Sequence, residues 1–214
     1  MSVAAKICGL SSHNAVAAAA AGGAAYVGFV FYPPSPRAVT PTQAAELCAA
    51  IPDGIARVAL FVDADDDRIA EVLHVAPIDI LQFHGKESPE RVAEAKARFG
   101  RRVMKAVAIG APQDLAAASE YEDAADLLLF DAKPPRGLGS LPGGNGRAFD
   151  WGLIAGRPWR RPWMLSGGLT AALLPEAVRL SGAACVDVSS GVETRPGRKD
   201  PAKIRAFLAA AHML

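Results

Sequence analysis

The chain has 214 residues, 51% of them hydrophobic and 21% charged, enough to bury one sizeable core but short of the length that divides into two domains, so residues 1–214 are read as a single domain. The 23 Lys+Arg and 22 Asp+Glu leave a formal charge of +1, which excludes a basic field for holding nucleic acid or an anionic membrane. The cysteines, Cys8, Cys48 and Cys185, stand far apart without metal-ligand spacing, and their odd number excludes a closed disulfide framework and points to a reducing, cytoplasmic setting.

Short β-branched or aliphatic runs alternate with longer Ala-rich ones, the mark of βα units on a parallel sheet. In chain order the pattern predicts a strand at Val3–Ile7 and a helix at Ser12–Ala21, then strand Tyr26–Phe31 and helix Thr42–Ile51. Strand Arg57–Val62 with helix Asp66–His74 and strand Ile78–Gln82 with helix Pro89–Phe99 follow. The second half repeats the scheme with Val103–Ala108 and Pro112–Tyr121, Leu127–Phe130 and Trp151–Ala155, Pro162–Leu165 and Ala171–Ser181, and Cys185–Val188 and Pro201–His212.

Ser12, Thr40, Asp65, Ser88, Asp150 and Thr170 are suitable N-caps, and Pro41 and Pro89 fall in first turns, where a missing N–H does no harm. The uncharged stretch from Cys8 to Tyr32 is mostly alanine and is broken by Gly22-Gly23. That argues against a membrane span, which needs about 20 strongly apolar residues, while Lys6 as the only basic residue ahead of it and the unbroken pattern that follows argue against a secretory signal. The longest loop is expected at Asp131–Ala148, rich in glycine and proline.

Eight βα units close into an α/β (β/α)8 TIM barrel, for which this length lies near the lower limit. An open doubly wound sheet is the alternative, but the first turn, Cys8-Gly-Leu-Ser-Ser-His, lacks the dinucleotide fingerprint.

In a barrel the chemistry collects at the C-terminal ends of the strands. Those ends carry Cys8, Arg37 after Tyr32-Pro-Pro-Ser-Pro, Asp63, His84, Asp131, and the turns Leu165-Ser-Gly-Gly-Leu169 and Asp187-Val-Ser-Ser-Gly-Val-Glu193. Small residues after strands seven and eight let a phosphate approach backbone N–H groups, although Gly167, Gly168 and Gly191 would also serve simple tight turns. Cys8 fits a base or nucleophile if a nearby helix end stabilises its thiolate, and otherwise a small core hydrophobe. Asp131 fits a general acid if its surroundings keep it protonated, and otherwise a cap or loop ion pair. Arg37, on a proline-stiffened turn, fits bidentate contact with a carboxylate or a solvated loop position. His84 could position substrate, whereas His13, His74 and His212 read as surface residues and Cys48 and Cys185 as packing residues. No metal site is expected.

Six motifs in order resemble the phosphoribosylanthranilate isomerase family over essentially the whole chain. They are Lys6-Ile-Cys-Gly-Leu10, Gly28 through Arg37, Leu81-Gln-Phe-His-Gly85, Gly143 through Trp151, Leu165-Ser-Gly-Gly-Leu169, and Asp187 through Glu193 with Pro196-Gly197 and Lys199-Asp200.

The resemblance implies an Amadori rearrangement, without cofactor, of phosphoribosylanthranilate to 1-(o-carboxyphenylamino)-1-deoxyribulose 5-phosphate in tryptophan biosynthesis. It matches Cys8 to the general base, Asp131 to the general acid and Arg37 to the contact with the anthranilate carboxylate. Gly167, Gly168, Ser189, Ser190 and Gly191 match the phosphate turns, and His84 and Asp187 match positions near the substrate with supporting or positioning parts.

The chain departs from the family in Gly144-Asn-Gly-Arg147, where Gly-Gly-Thr-Gly-Lys is usual, and in the insertion Lys133 through Pro142, a candidate lid extension. A silent barrel binding a sugar phosphate or a protein, and a dual-substrate isomerase that also takes the histidine-pathway aminoaldose, are the competing readings. The helical pattern is compatible with a monomer or a homodimer.

Overall fold

The computed structural model describes residues 2–133 and 148–214. Eight parallel strands close in sequence order into a barrel: β1 (Ala4–Cys8), β2 (Tyr26–Val30), β3 (Ala56–Phe61), β4 (Ile80–Phe83), β5 (Arg102–Ile109), β6 (Leu127–Ala132), β7 (Trp163–Leu165) and β8 (Cys185–Val188). The seam is made by β1 and β8, where Lys6 lies opposite Asp187. The outer layer holds α1 (His13–Ala21), α2 (Pro41–Cys48), α3 (Asp66–Val75), α4 (Pro89–Phe99), α5 (Asp114–Glu120), α6 (Leu174–Ser181) and α7 (Pro201–His212).

The strands are buried on both faces, which is why they read as near-continuous apolar runs. On β5 the alternation is explicit. Met104 and Ala106 enter the barrel with Val58, Ile80, Leu127, Leu129 and Met164, while Val103, Val107 and Ile109 join the larger core between sheet and helices. The apolar stripes of α1 (Ala15, Val16, Ala19) and α7 (Ile204, Phe207, Leu208, Ala211) close that outer core. No helix among the described residues is long and apolar enough to cross a membrane.

Several helix starts follow the predicted chemistry. Thr40, Asp65 and Ser88 accept from the N–H groups of Gln43, Arg68 and Arg91 at 3.1, 2.9 and 3.3 Å. Ser12 makes no such bond.

Two predicted helices are corrected. Trp151–Ala155 is a 3-10 turn over Trp151–Ile154. Gly152 and Gly156 weaken helix there, and Asp150 caps Gly152 at 3.0 Å, so a single turn buries Trp151 and Ile154. The helix predicted at Ala171–Ser181 (α6) begins at Leu174, because Thr170 first closes a turn by accepting from Leu173 N–H at 3.3 Å. An unpredicted hairpin follows β8, pairing β9 (Glu193–Arg195) with β10 (Arg198–Lys199) around Pro196-Gly197. Gly197 adopts φ 81°, and its bare Cα packs against the Pro36 carbonyl, which ties the hairpin to the loop after β2.

Candidate active site

The inward-facing positions change character along the barrel axis. Deep in the interior they are apolar. Toward the C-terminal ends of the strands they become Lys6 and Cys8 on β1, Gln82 on β4 with His84 just beyond it, Asp131 on β6 and Asp187 on β8. All four catalytic or supporting candidates from strand ends, Cys8, His84, Asp131 and Asp187, are therefore gathered at one mouth.

Cys8 is 4% exposed. Its register partner on β2 is Gly28, where a Cβ would stand 3.0 Å from Cys8 Sγ and 3.4 Å from Lys6 Cε, so only glycine leaves the thiol and the lysine their space. Lys6 is fully buried and donates to Asp187 Oδ1 at 2.8 Å, while Ser166 Oγ donates to Asp187 Oδ2 at 3.0 Å. Burial alone would lower the proton affinity of Lys6, but the Asp187 carboxylate and then Cys8 outweigh it, and Lys6 is held above its usual range. Burial pushes the Cys8 thiol up, and the opposing pull of Lys6, with a smaller one from Lys199, does not cancel it. Among the described residues, the cations that oppose this rise are these two side chains, while helix α1 begins only at His13.

Asp131, 6% exposed, accepts from the Ala132 N–H through Oδ1 at 2.8 Å and places Oδ2 3.3 Å from His84 Nε2. On the other side of the imidazole, Gln82 Nε2 lies 3.0 Å from Nδ1. Gly167 closes over the carboxylate from the β7 loop with φ 89°. A Cβ there would meet Ala132 N at 2.8 Å and Asp131 Oδ1 at 3.3 Å. The loop carrying His84 is fastened by Glu87, whose carboxylate accepts from Asp63 N at 2.8 Å, Gly85 N at 2.9 Å and buried Lys105 at 2.7 Å.

Arg37 is buried, not a solvated loop residue. Its Nε and Nη2 donate to the two oxygens of Glu193 at 2.8 and 2.9 Å, and its Cδ packs over Gly9, the residue after Cys8. Lys199 shares Glu193 Oε1 at 2.8 Å and also donates to the Ser189 carbonyl at 2.8 Å and hydroxyl at 3.1 Å. Burial pushes the Glu193 carboxyl up, but Arg37 and Lys199 together pull it lower than usual. Burial holds Lys199 below its ordinary value despite Glu193.

The two small-residue turns lie side by side. Gly167 and Gly168 have φ 89° and 66°, and Gly191 packs so closely on the Leu169 carbonyl that a side chain has no room. Ser189 is tethered by Lys199, and Ser190 opens a 3-10 turn to Val192. The glycine-rich loop and lid extension read from Lys133 to Arg147 lie, beyond Lys133, outside the described residues.

Sequence reasoning passed over Lys6, Gln82, Glu87, Lys105, Glu193 and Lys199 as individual site residues. Lys6, Gln82 and Lys105 had a readable signal, since a polar residue inside an apolar strand must find a partner. His13, His74 and His212 are exposed, Cys48 is core, and Cys185 packs beside the inner apolar cluster.

A closed (β/α)8 barrel with a thiol and a carboxyl at its C-terminal mouth, beside paired glycine–serine turns after β7 and β8, defines a barrel enzyme of the kind that handles phosphorylated small molecules. Residues 5–210 match the family described as N-(5'phosphoribosyl)anthranilate (PRA) isomerase, and the chain belongs to that family.

It is 58% identical over 214 residues to the N-(5'-phosphoribosyl)anthranilate isomerase of Rhodospirillum centenum, covering 100% of both chains. The phosphoribosyl anthranilate isomerase of Thermotoga maritima superposes with a TM-score of 0.87 at 34% identity, covering 99% of this chain and 100% of the other. A phosphoribosyl anthranilate isomerase solved with reduced 1-(o-carboxyphenylamino)-1-deoxyribulose 5-phosphate gives 0.84 at 32% identity, with 99% and 100% covered. The chain is an isomerase acting on phosphoribosylanthranilate in tryptophan biosynthesis.

Proposed function

We propose that the rearrangement is carried by Cys8 and Asp131 as a general base and acid pair, without a cofactor, on a substrate held at both ends. The observation that carries this reading is the placement of both groups, each nearly buried and each beside a polar side chain, on the inner face of one barrel at the same mouth. The complex of the family relative with the reduced product supports the choice of substrate.

Asp131 in its protonated form gives its proton to the furanose ring oxygen, and the C1–O bond breaks to open the ring. Cys8 as thiolate then takes the proton from sugar C2, and the electron pair moves toward nitrogen to form an enolamine, which tautomerises to the ketone. Burial disfavours the thiolate, so Lys6, close enough to share its field with Asp187 and Cys8, is the group that makes it accessible.

Arg37 receives the anthranilate carboxylate. Glu193 fixes the plane and the position of the guanidinium, which is what recognition of a flat anion requires. Gly167, Gly168, Ser189, Ser190 and Gly191 surround the phosphate, their small side chains opening the backbone of two touching turns. His84 and Asp187 hold Asp131 and Lys6 in place at the edge of the substrate. The three free thiols suit a reducing cytoplasm.

The test is loss of phosphoribosylanthranilate by the purified protein with no metal or nucleotide added, together with growth of a tryptophan auxotroph that lacks this isomerase. Turnover and restored growth are expected. A silent binding barrel would give neither, and a dual-substrate enzyme would reveal itself by also converting the histidine-pathway aminoaldose.

A further inference from the structure

Lys199 lies opposite Glu193 in the β9–β10 hairpin, its side chain 1% exposed, and takes part in none of the steps set out above. Three oxygens surround its Nζ: Glu193 Oε1 at 2.8 Å, the Ser189 carbonyl at 2.8 Å and the Ser189 hydroxyl at 3.1 Å. Three is the number of hydrogens a lysine ammonium can donate, so the nitrogen is held from three sides. Ser189 Oγ is the acceptor in its contact, which leaves its own hydrogen to be given to an anion.

The carboxylate that takes Lys199 is also engaged on its far side. Glu193 Oε1 accepts from Arg37 Nε at 2.8 Å, and Oε2 accepts from Arg37 Nη2 at 2.9 Å. One continuous relay therefore runs from Ser189 through Lys199 and Glu193 to Arg37. In the closed barrel β1 stands between β8 and β2, so the relay ties the turn after β8 to the loop after β2 across the strand that ends in Cys8. Its base is firm. Lys203, in α7, donates to the Glu193 carbonyl at 2.7 Å, and the Asp200 N–H donates to the Val192 carbonyl at 2.8 Å.

Phosphoribosylanthranilate carries an anion at each end, a phosphate and an aromatic carboxylate. Anchors that drift relative to one another must be brought to the right separation whenever such a ligand binds, and anchors already held there avoid that cost. We propose that Lys199 is a positioning residue that fixes the separation of the two anchors: it governs affinity for ligands that reach both and matters little to ligands that reach one. The proposal rests on the reading of Arg37 as the carboxylate contact and of the turn after β8 as part of the phosphate site. Lys199→Met cuts the tie alone, because Arg37 keeps both oxygens of Glu193 and the glycine backbone of the turns is untouched.

The experiment measures inhibition of turnover by three ligands: anthranilate, inorganic phosphate, and reduced 1-(o-carboxyphenylamino)-1-deoxyribulose 5-phosphate, which carries both ends. Calorimetric titration replaces inhibition where a variant turns over too slowly. In Lys199→Met the reduced product should bind about tenfold or more weaker, and anthranilate and phosphate should each change by less than about twofold. Should that variant not fold, Lys199→Gln, which keeps a shorter neutral donor, should show the same pattern with a loss of about threefold or more for the reduced product alone.

An unchanged affinity for the reduced product overturns the proposal. So does a loss that equals the combined losses of the two fragments, the result expected if Lys199 merely supports the fold. The reading beneath it fails visibly elsewhere: wild-type protein that neither fragment inhibits, or an Arg37→Met variant that anthranilate inhibits as it does wild type, removes the assigned anchors and the proposal with them. Failure of the proposal alone shows only in the Lys199 variants, with the fragments behaving as expected in wild type and in Arg37→Met.

Discussion

The barrel interior has two unlike ends. Its lower part, Val58, Ile80, Met104, Ala106, Leu127, Leu129 and Met164, is packed with side chains that have nothing to ionise. Its upper part holds Lys6, Gln82, Asp131 and Asp187, all at most 6% exposed, around Cys8. The lower end contributes free energy by excluding water. The upper end places charges where water is scarce, which is costly unless each finds a partner. The same strands build both, because residues two apart share a face and only their height along the axis differs.

The contrast is broken most severely at the mouth. Asp131→Asn and Cys8→Ala should each lower turnover by about 10²–10⁴-fold while thermal unfolding changes little, checked by substrate-loss kinetics beside calorimetry. Wild-type turnover by either variant would remove that residue from the mechanism.

Lys6→Met should cost about 3–5 kcal/mol of stability, since Asp187 is left buried without its cation. The double variant Lys6→Met/Asp187→Leu should recover most of that in urea titrations and still turn over slowly, because the thiol has lost the cation facing it. Full activity in the double variant would show that the pair serves only packing.

At the floor, Ile80→Val should cost about 0.5–1.5 kcal/mol and leave turnover per folded molecule unchanged. A change in kcat there would mean that the two ends are not separable.

The smallest effect concerns pH. Burial pushes Cys48 up to about 11 and Cys185 up to about 12, from an ordinary value near 9. A folded-state value above the unfolded one means that the unfolded chain gives up protons first. The stability these thiols contribute is therefore complete below about pH 9 and is lost as pH rises toward 11 and 12. Urea midpoints should fall between pH 9 and 10.5, and less steeply in Cys48→Ala or Cys185→Ala. A flat midpoint over that range would contradict the shifts.

The barrel was legible in the sequence because alternation of apolar runs is a local property. β8 is found at Cys185–Val188, as predicted, and the other strands lie within two residues of their predicted ends. Elements that depend on distant partners were not legible. The β9–β10 hairpin is short and polar, and only its Pro-Gly turn announces it. Trp151–Ile154 carries apolar residues suited to a helix but ends up as one turn, because Gly152 lies within it and Gly156 just beyond.

The same division holds for the site. Cys8, His84 and Asp131 could be picked out as chemistry-bearing residues at strand ends, a one-dimensional criterion. Lys6 finds its counter-ion 181 residues away, and Arg37 finds Glu193 at a separation of 156. Those pairings exist only once the ring has closed. That Arg37 would be buried and forked onto a carboxylate of its own chain follows from the hairpin, which no local pattern foretold.

The tie between Gly197 and Pro36, with Glu193 and Lys199 beside it, joins a loop made early in synthesis to a segment made almost last. A nascent chain halted before Glu193 would lack the clasp that seats Arg37, whatever the state of its first strands. Seating of the Arg37 guanidinium is thereby deferred to the final stretch of translation, the same stretch that brings the core residues Ile204, Phe207 and Leu208.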